Sequence, residues 1–137
     1  MTTVTMPVVS AITAGVLIIL QMLLMLRTAL TRRTAGPSLG EGSDATLLRR
    51  SRRHGNLAEN AAIFIAGFTL LELMGEQRLW MEIACGLFVA ARLLHVIGLS
   101  QKSTVNGFRV VGVVATFAIG IGLGIRLVHL AWTHLAG

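Results

Sequence analysis

The sequence predicts an all-α integral membrane protein, a four-transmembrane-helix bundle forming a single domain over residues 1–137. Three observations carry that prediction. Charged residues make up 13% of the chain, about half of the ~25% usual in soluble domains. Mean hydropathy is +0.75. Four apolar runs each approach the ~20 residues that a helix needs to cross the hydrocarbon core of a bilayer.

The first run, Pro7 to Leu26, is interrupted only by Ser10, Thr13 and Gln21. Pro7 suits the first turn of a helix, where its missing N–H costs nothing. A cleaved signal peptide is disfavoured, because no Lys or Arg precedes the run and its apolar part is too long. Arg27 to Arg53 is the one extended polar segment. The turn-forming string Gly36-Pro37-Ser38-Leu39-Gly40-Glu41-Gly42 predicts a loop. Asp44 is placed to cap a helix that runs through the arginines into the second apolar run, Leu57 to Leu73. Gly75-Glu76-Gln77-Arg78 predicts a tight turn, and Leu79 to Leu99 a third span. After the polar stretch Ser100 to Phe108, Val110 opens a fourth span, in which Gly120 and Gly124 form a small-xxx-small pair suited to close helix contact. The expected spans are about 7–29, 57–74, 79–99 and 108–132.

Charge is read by location in such a chain. The formal net charge is +6, but the arginines flank apolar spans, so nucleic acid is not the expected partner. The connections after the first and third spans hold most of the basic residues, whereas Arg78 and Arg126 stand at the opposite end. The positive-inside rule then puts both polar loops in the cytoplasm and both termini outside. The single Cys85 excludes an intramolecular disulfide and reads as a packing residue. No Ser-His-Asp set, metal-ligand spacing or phosphate loop stands out.

Ionisable residues inside spans are costly and face a partner or a cavity. Arg52, Asn56 and Glu59 fall on one helical stripe. Arg92 and His95 share the facing half of the third span, and Arg109 opens the fourth from the same side. We expect Glu59 to pair with Arg92, leaving Arg52, Asn56, His95 and Arg109 around a cavity. Arg49, Arg50 and Arg53 read as membrane-border charge, Glu82 as a structural group that caps the helix or pairs with Arg78, and His129 and His134 as solvated surface groups. Arginine forks bind carboxylates and a glutamate holds an amine, so a peptide-like anion or an anionic lipid head group fits.

The strings RRHGNLAEN, ARLLHVIG and FRVVG, in that order, resemble the MAPEG family, membrane-associated proteins in eicosanoid and glutathione metabolism. The loop text SLGEG resembles its bacterial branch. The resemblance implies a homotrimer in a bacterial inner membrane, with glutathione as co-substrate bound between subunits near the cytoplasmic face. By motif it assigns glutathione contacts to Arg52, His54, Asn56, Glu59, Arg92 and His95, and thiolate stabilisation to Arg109. Arg27 matches a family arginine at the end of the first helix, with Arg32 competing for that role. The implied chemistry is glutathione transfer to a lipophilic electrophile, or reduction of a lipid hydroperoxide, without a metal. Two departures stand out: Asn60 and Ala62 replace an aromatic residue and a proline, and the chain has no tyrosine, with His95 and Leu99 where two are expected. A catalytically silent trimer that binds an anionic lipid or small anion is the competing expectation. A transporter is disfavoured, since no broken helix marks the midplane.

Overall fold

Each apolar run becomes one helix in the computed structural model, which describes residues 6–36, 43–101 and 106–137. In order they are α1 (Val8–Ala35), α2 (Ala45–Leu73), α3 (Arg78–Gly98) and α4 (Gly107–Ala136). All four are long and apolar enough to cross a membrane, and the described residues contain no strand. Three helices continue past the apolar runs: α1 through Arg32 and Arg33, α4 to Ala136, and α2 backward through the arginines to Asp44. Of the expected loop at 36–42, all but Gly36 lies outside the described residues, as do residues 102–105 of the polar stretch before α4.

The helix ends follow from local chemistry. Asp44 caps α2 as expected, its carboxylate accepting from Thr46 N at 2.7 Å and Leu47 N at 3.0 Å. Those backbone bonds hold the Asp44 carboxyl below its ordinary range. Asn106 caps α4 by accepting from Arg109 N at 2.9 Å, and its amide donates to Gly98 O at 2.8 Å, tying the start of α4 to the end of α3. Pro7 stands one residue before the first turn, at the N-cap of α1, and offers no side-chain acceptor. The missing cap comes from far along the chain. Glu72, buried near the end of α2, accepts from Val9 N (2.9 Å), Ser10 N (2.8 Å) and Ser10 Oγ (2.6 Å). A carboxylate at the positive end of a helix is stabilised by the helix dipole as well as by these bonds.

Burial in α1 follows a helical stripe: Ser10, Thr13, Leu17, Leu24, Thr28 and Thr31. The threonines can be buried because each hydroxyl donates back one turn, to Val9 O, Leu24 O and Arg27 O. Around Leu17 and Leu24 the core gathers Leu57, Phe64, Phe68, Leu71, Met81, Cys85, Phe88 and Leu123. Phe64 lies flat on Phe88, with centroids 4.0 Å apart and planes at 9°. Cys85 packs there as expected.

The backbones of α3 and α4 approach closely, and the contact rests on glycines other than the expected pair. A Cβ at Gly98 would come within 2.5 Å of Arg109 N, and one at Gly112 within 2.8 Å of Ala91 O and His95 N. Of the pair singled out in the sequence, Gly120 meets the Phe64 ring at 2.9 Å, while Gly124 has nothing within 4 Å. The end of the bundle near Glu72 is further tied by Glu76, whose carboxylate in the α2–α3 turn takes both Arg126 Nε and Arg126 Nη2, the latter at 3.1 Å. Arg78 pairs with Glu82 at 2.7 Å as expected; both are exposed, so the pair contributes little. The two histidines expected to be solvated surface groups are exposed, and each also has a partner: His129 Nδ1 meets Arg126 Nη1 at 3.0 Å and His134 Nε2 meets Met74 O at 3.3 Å.

Two outcomes follow. Gly112→Ala should destabilise the folded protein by about 1–3 kcal/mol through overpacking against backbone atoms that cannot retreat, read as a lower thermal midpoint in detergent; Gly124→Ala should leave the midpoint within error. The Arg126 hydrogen bonds hold the Glu76 carboxyl below its ordinary value, about 4.3 in an unfolded chain. Its contribution is therefore present above pH ~4.3 and lost as pH falls through the lower folded-state value. Thermal midpoints measured down to pH 3 should fall less steeply in Glu76→Gln than in the wild type.

Candidate functional site

At the end of the bundle away from Glu72, the arginine-rich turns of α2 meet the end of α3 and the start of α4. A polar cleft of about 770 Å³ opens there, lined by Arg49, Arg52, Asn56 and Glu59 from α2, His95 from α3, and Arg109 and Val113 from α4, among others. The stripe read from spacing is thus real: Arg52, Asn56 and Glu59 face one cavity, together with His95 and Arg109. Arg52 and Glu59 are exposed, and His95 is 5% exposed with its Nδ1 unpartnered among the described residues.

The expected Glu59–Arg92 ion pair does not form. Arg92 is 2% exposed, and its guanidinium donates to Asn56 Oδ1 at 3.0 Å, to Gly112 O at 3.4 Å and to Thr116 Oγ1. It also sits over the Phe88 ring, 5.9 Å from the centroid. Directed inward to α4, the side chain cannot also reach a carboxylate that faces the cleft. Glu59 therefore keeps its carboxylate open to the cavity, with no ion pair among the described residues.

Arg92 instead lines a second, apolar cleft of about 370 Å³ between α2 and α4, walled by Phe64, Phe117, Gly120 and Ile121, with Asn60 and Thr116 beside the arginine. Asn56 and Val113 line both clefts, so the two cavities are neighbours. His54 stands elsewhere. It lines a groove of about 520 Å³ on the α1 side with Arg32 and Arg33, and Ser51 borders both that groove and the polar cleft. Arg27 is exposed and lines none of these cavities; its carbonyl accepts from Arg50 Nη1 at 3.3 Å. Of the two helix-one arginines weighed for the family position, Arg32 shares the groove with His54, as does Arg33, and Arg27 does not.

The border arginines do more than set charge. Arg50 bonds Thr31 Oγ1 as well as Arg27 O, and Arg53 donates to Ser100 Oγ at 3.0 Å, so they clamp α2 to the ends of α1 and α3. Thr116 and Val113 were not foreseen. The available signal for Thr116 was a hydroxyl four residues after Gly112 in an apolar span, which is weak because such hydroxyls usually satisfy themselves.

Residues 10–129 match the MAPEG family. The chain belongs to this family. No curated protein and no solved structure matches it. MAPEG membership makes the chain a multi-pass integral membrane protein of a family associated with glutathione transfer and peroxide reduction. Among the described residues no cluster of His, Cys, Asp or Glu could hold a metal ion.

Burying Arg92 among neutral acceptors costs desolvation that no opposite charge offsets. Arg92→Met should therefore keep or raise the thermal midpoint, unlike truncation of an ordinary core residue, for which a loss of about 2–5 kcal/mol is typical. A drop of that size would show that the neutral hydrogen bonds outweigh the desolvation.

Proposed function

We propose that this MAPEG protein is a glutathione-dependent membrane transferase or peroxidase acting on lipophilic electrophiles or lipid hydroperoxides. The observation that carries the reading is that two neighbouring clefts of opposite character share Asn56 and Val113 in their walls. One is polar and carries Arg49, Arg52 and Arg109 with a single carboxylate, Glu59. The other is apolar and lies within the spans. Glutathione has two carboxylates and one amine, so the arginines suit its charged ends and Glu59 suits its ammonium. A lipophilic partner reaches the apolar cleft from the bilayer. In transfer the sulfur forms its bond to the electrophilic carbon and the leaving group departs with its electron pair. No protein nucleophile is needed, because the bound thiol attacks. What the protein supplies is thiolate: the Arg109 guanidinium at the cleft favours the ionised form over the thiol.

The assembly we propose is a homotrimer with the polar loops in the cytoplasm, as the arginine distribution supports, in a bacterial inner membrane. His54 lies on the face of α2 away from the polar cleft and shares the α1-side groove with Arg32 of α1. They could complete a glutathione site only on a neighbouring subunit, which supports binding at subunit borders. A catalytically silent binder of anionic lipid is the second reading, favoured by the absence of tyrosine: His95 and Leu99 line the polar cleft where hydroxyls would otherwise contact the ligand.

Titrating purified protein with glutathione should raise ultraviolet absorbance from thiolate. Arg109→Ala should bind glutathione yet lose that signal, whereas Arg52→Ala and Glu59→Ala should weaken binding about tenfold or more, the loss of one charge-assisted contact. Ile121→Trp, which fills the apolar cleft from an exposed position, should raise KM for an aryl halide and leave glutathione affinity unchanged. Wild-type binding without a thiolate signal would overturn the transferase mechanism and leave the silent binder.

A further inference from the structure

Arg92 is deeply buried, yet it touches no carboxylate and does not line the polar cleft. Its hydrogen bonds run in a line from α4 to α2. Thr116 donates its hydroxyl proton to Gly112 O at 2.7 Å, so a lone pair of the same oxygen is left for the Arg92 guanidinium. The other arm of that guanidinium donates to Asn56 at 3.0 Å. A guanidinium carries donors only, so the Asn56 atom turned toward it must be the carbonyl oxygen. Asn56 borders the polar cleft. With its oxygen turned toward Arg92, which does not line that cleft, the group Asn56 offers a ligand there is the amide N–H pair.

We infer that Thr116, acting through Arg92, is a positioning residue that fixes Asn56 as a hydrogen-bond donor to the polar cleft. The consequence is a rule about the ligand. At Asn56 the cleft takes an acceptor oxygen, a carboxylate or a peptide carbonyl, and rejects an amine, which is left to Glu59. The charge on Arg92 strengthens the effect, since an amide whose oxygen accepts from a cation is a better donor at its nitrogen. The turn of α2 beneath is held as well, because Asn60 Nδ2 donates to Asn56 O at 2.8 Å. Arg92 thus acts on the ligand at second hand. The identity of that ligand as glutathione rests on the function proposed above, whereas the hydrogen-bond polarity does not.

The test uses full-length protein in detergent, with glutathione as the probe in calorimetric titration. Thr116→Val, which keeps the shape and removes the acceptor, should raise Kd for glutathione about tenfold, and Thr116→Ser should restore it. Asn56→Asp keeps an oxygen for Arg92, so its thermal midpoint should hold or rise. Its Kd should nevertheless worsen by about tenfold or more, because a carboxylate now meets the ligand's acceptor. A purely structural role predicts that affinity follows stability, and Asn56→Asp separates the two. Wild-type affinity in Thr116→Val or in Asn56→Asp overturns the proposal. Wild-type protein that binds no glutathione would instead remove the functional reading. The relay is then read from thermal unfolding of Thr116→Val, Asn56→Ala and the double variant: coupling between the two sites supports it, and additivity overturns it.

Discussion

The geometry of the site depends on two missing side chains. Gly98 and Gly112 let the backbones of α3 and α4 touch, so near that a Cβ at either position would meet main-chain atoms at 2.5–2.8 Å. In a bilayer such contact is a main source of helix association, since burying apolar surface away from lipid gains little. Here it also sets chemistry. With α4 pressed onto α3, Gly112 O and Thr116 come within reach of Arg92, and Arg109 stands beside His95 at the mouth of the polar cleft. Any residue that separated the pair would disperse three cationic or titratable groups at once. The glycine contact is thus upstream of the electrostatics.

The two ends of the bundle use charge in opposite ways. Around Glu72 and Glu76 every carboxylate is committed, one to the start of α1 and one to Arg126, and the result is a stapled end. Around Asn56 the pairing is left incomplete among the described residues: Glu59 is open to the cavity, His95 Nδ1 and Arg92 Nε are buried without partners there, and Arg52 is exposed. Unmatched polar groups of this kind destabilise a fold unless a ligand completes them. Local rules are satisfied at one end and broken at the other, and sites are where such breaks concentrate.

Much of this was legible in the sequence, for reasons that can be named. Helical spans, the Asp44 cap, the Arg78–Glu82 pair and the Arg52-Asn56-Glu59 stripe all depend on short spacings, which the helical period fixes. What was misread depends on direction or on distance along the chain. Spacing put Arg92 opposite Glu59 but could not say that its guanidinium turns inward to Thr116. Gly120 and Gly124 match a pattern within one helix, whereas the effective pair, Gly98 and Gly112, belongs to two helices. The Glu72 cap joins residues more than sixty apart, and its signal, a carboxylate inside an apolar run, was present but had no nearby partner to explain it.

The motif itself raises the last point. Arg52, His54, Asn56 and Glu59 were read as one site, yet residues two apart on a helix point about 200° away from each other. One face of α2 cannot present all four to a single cavity, and it does not: His54 borders the α1 groove with Arg32, while the other three border the polar cleft. Either His54 has no part in ligand binding, or the ligand lies where a second copy brings its α1 groove against this polar cleft. The homotrimer proposed above requires the second. There the groove of one copy, with its Arg32 and Arg33, would face the polar cleft of the next, and Ser51, which borders both cavities of its own chain, would stand between two such sites.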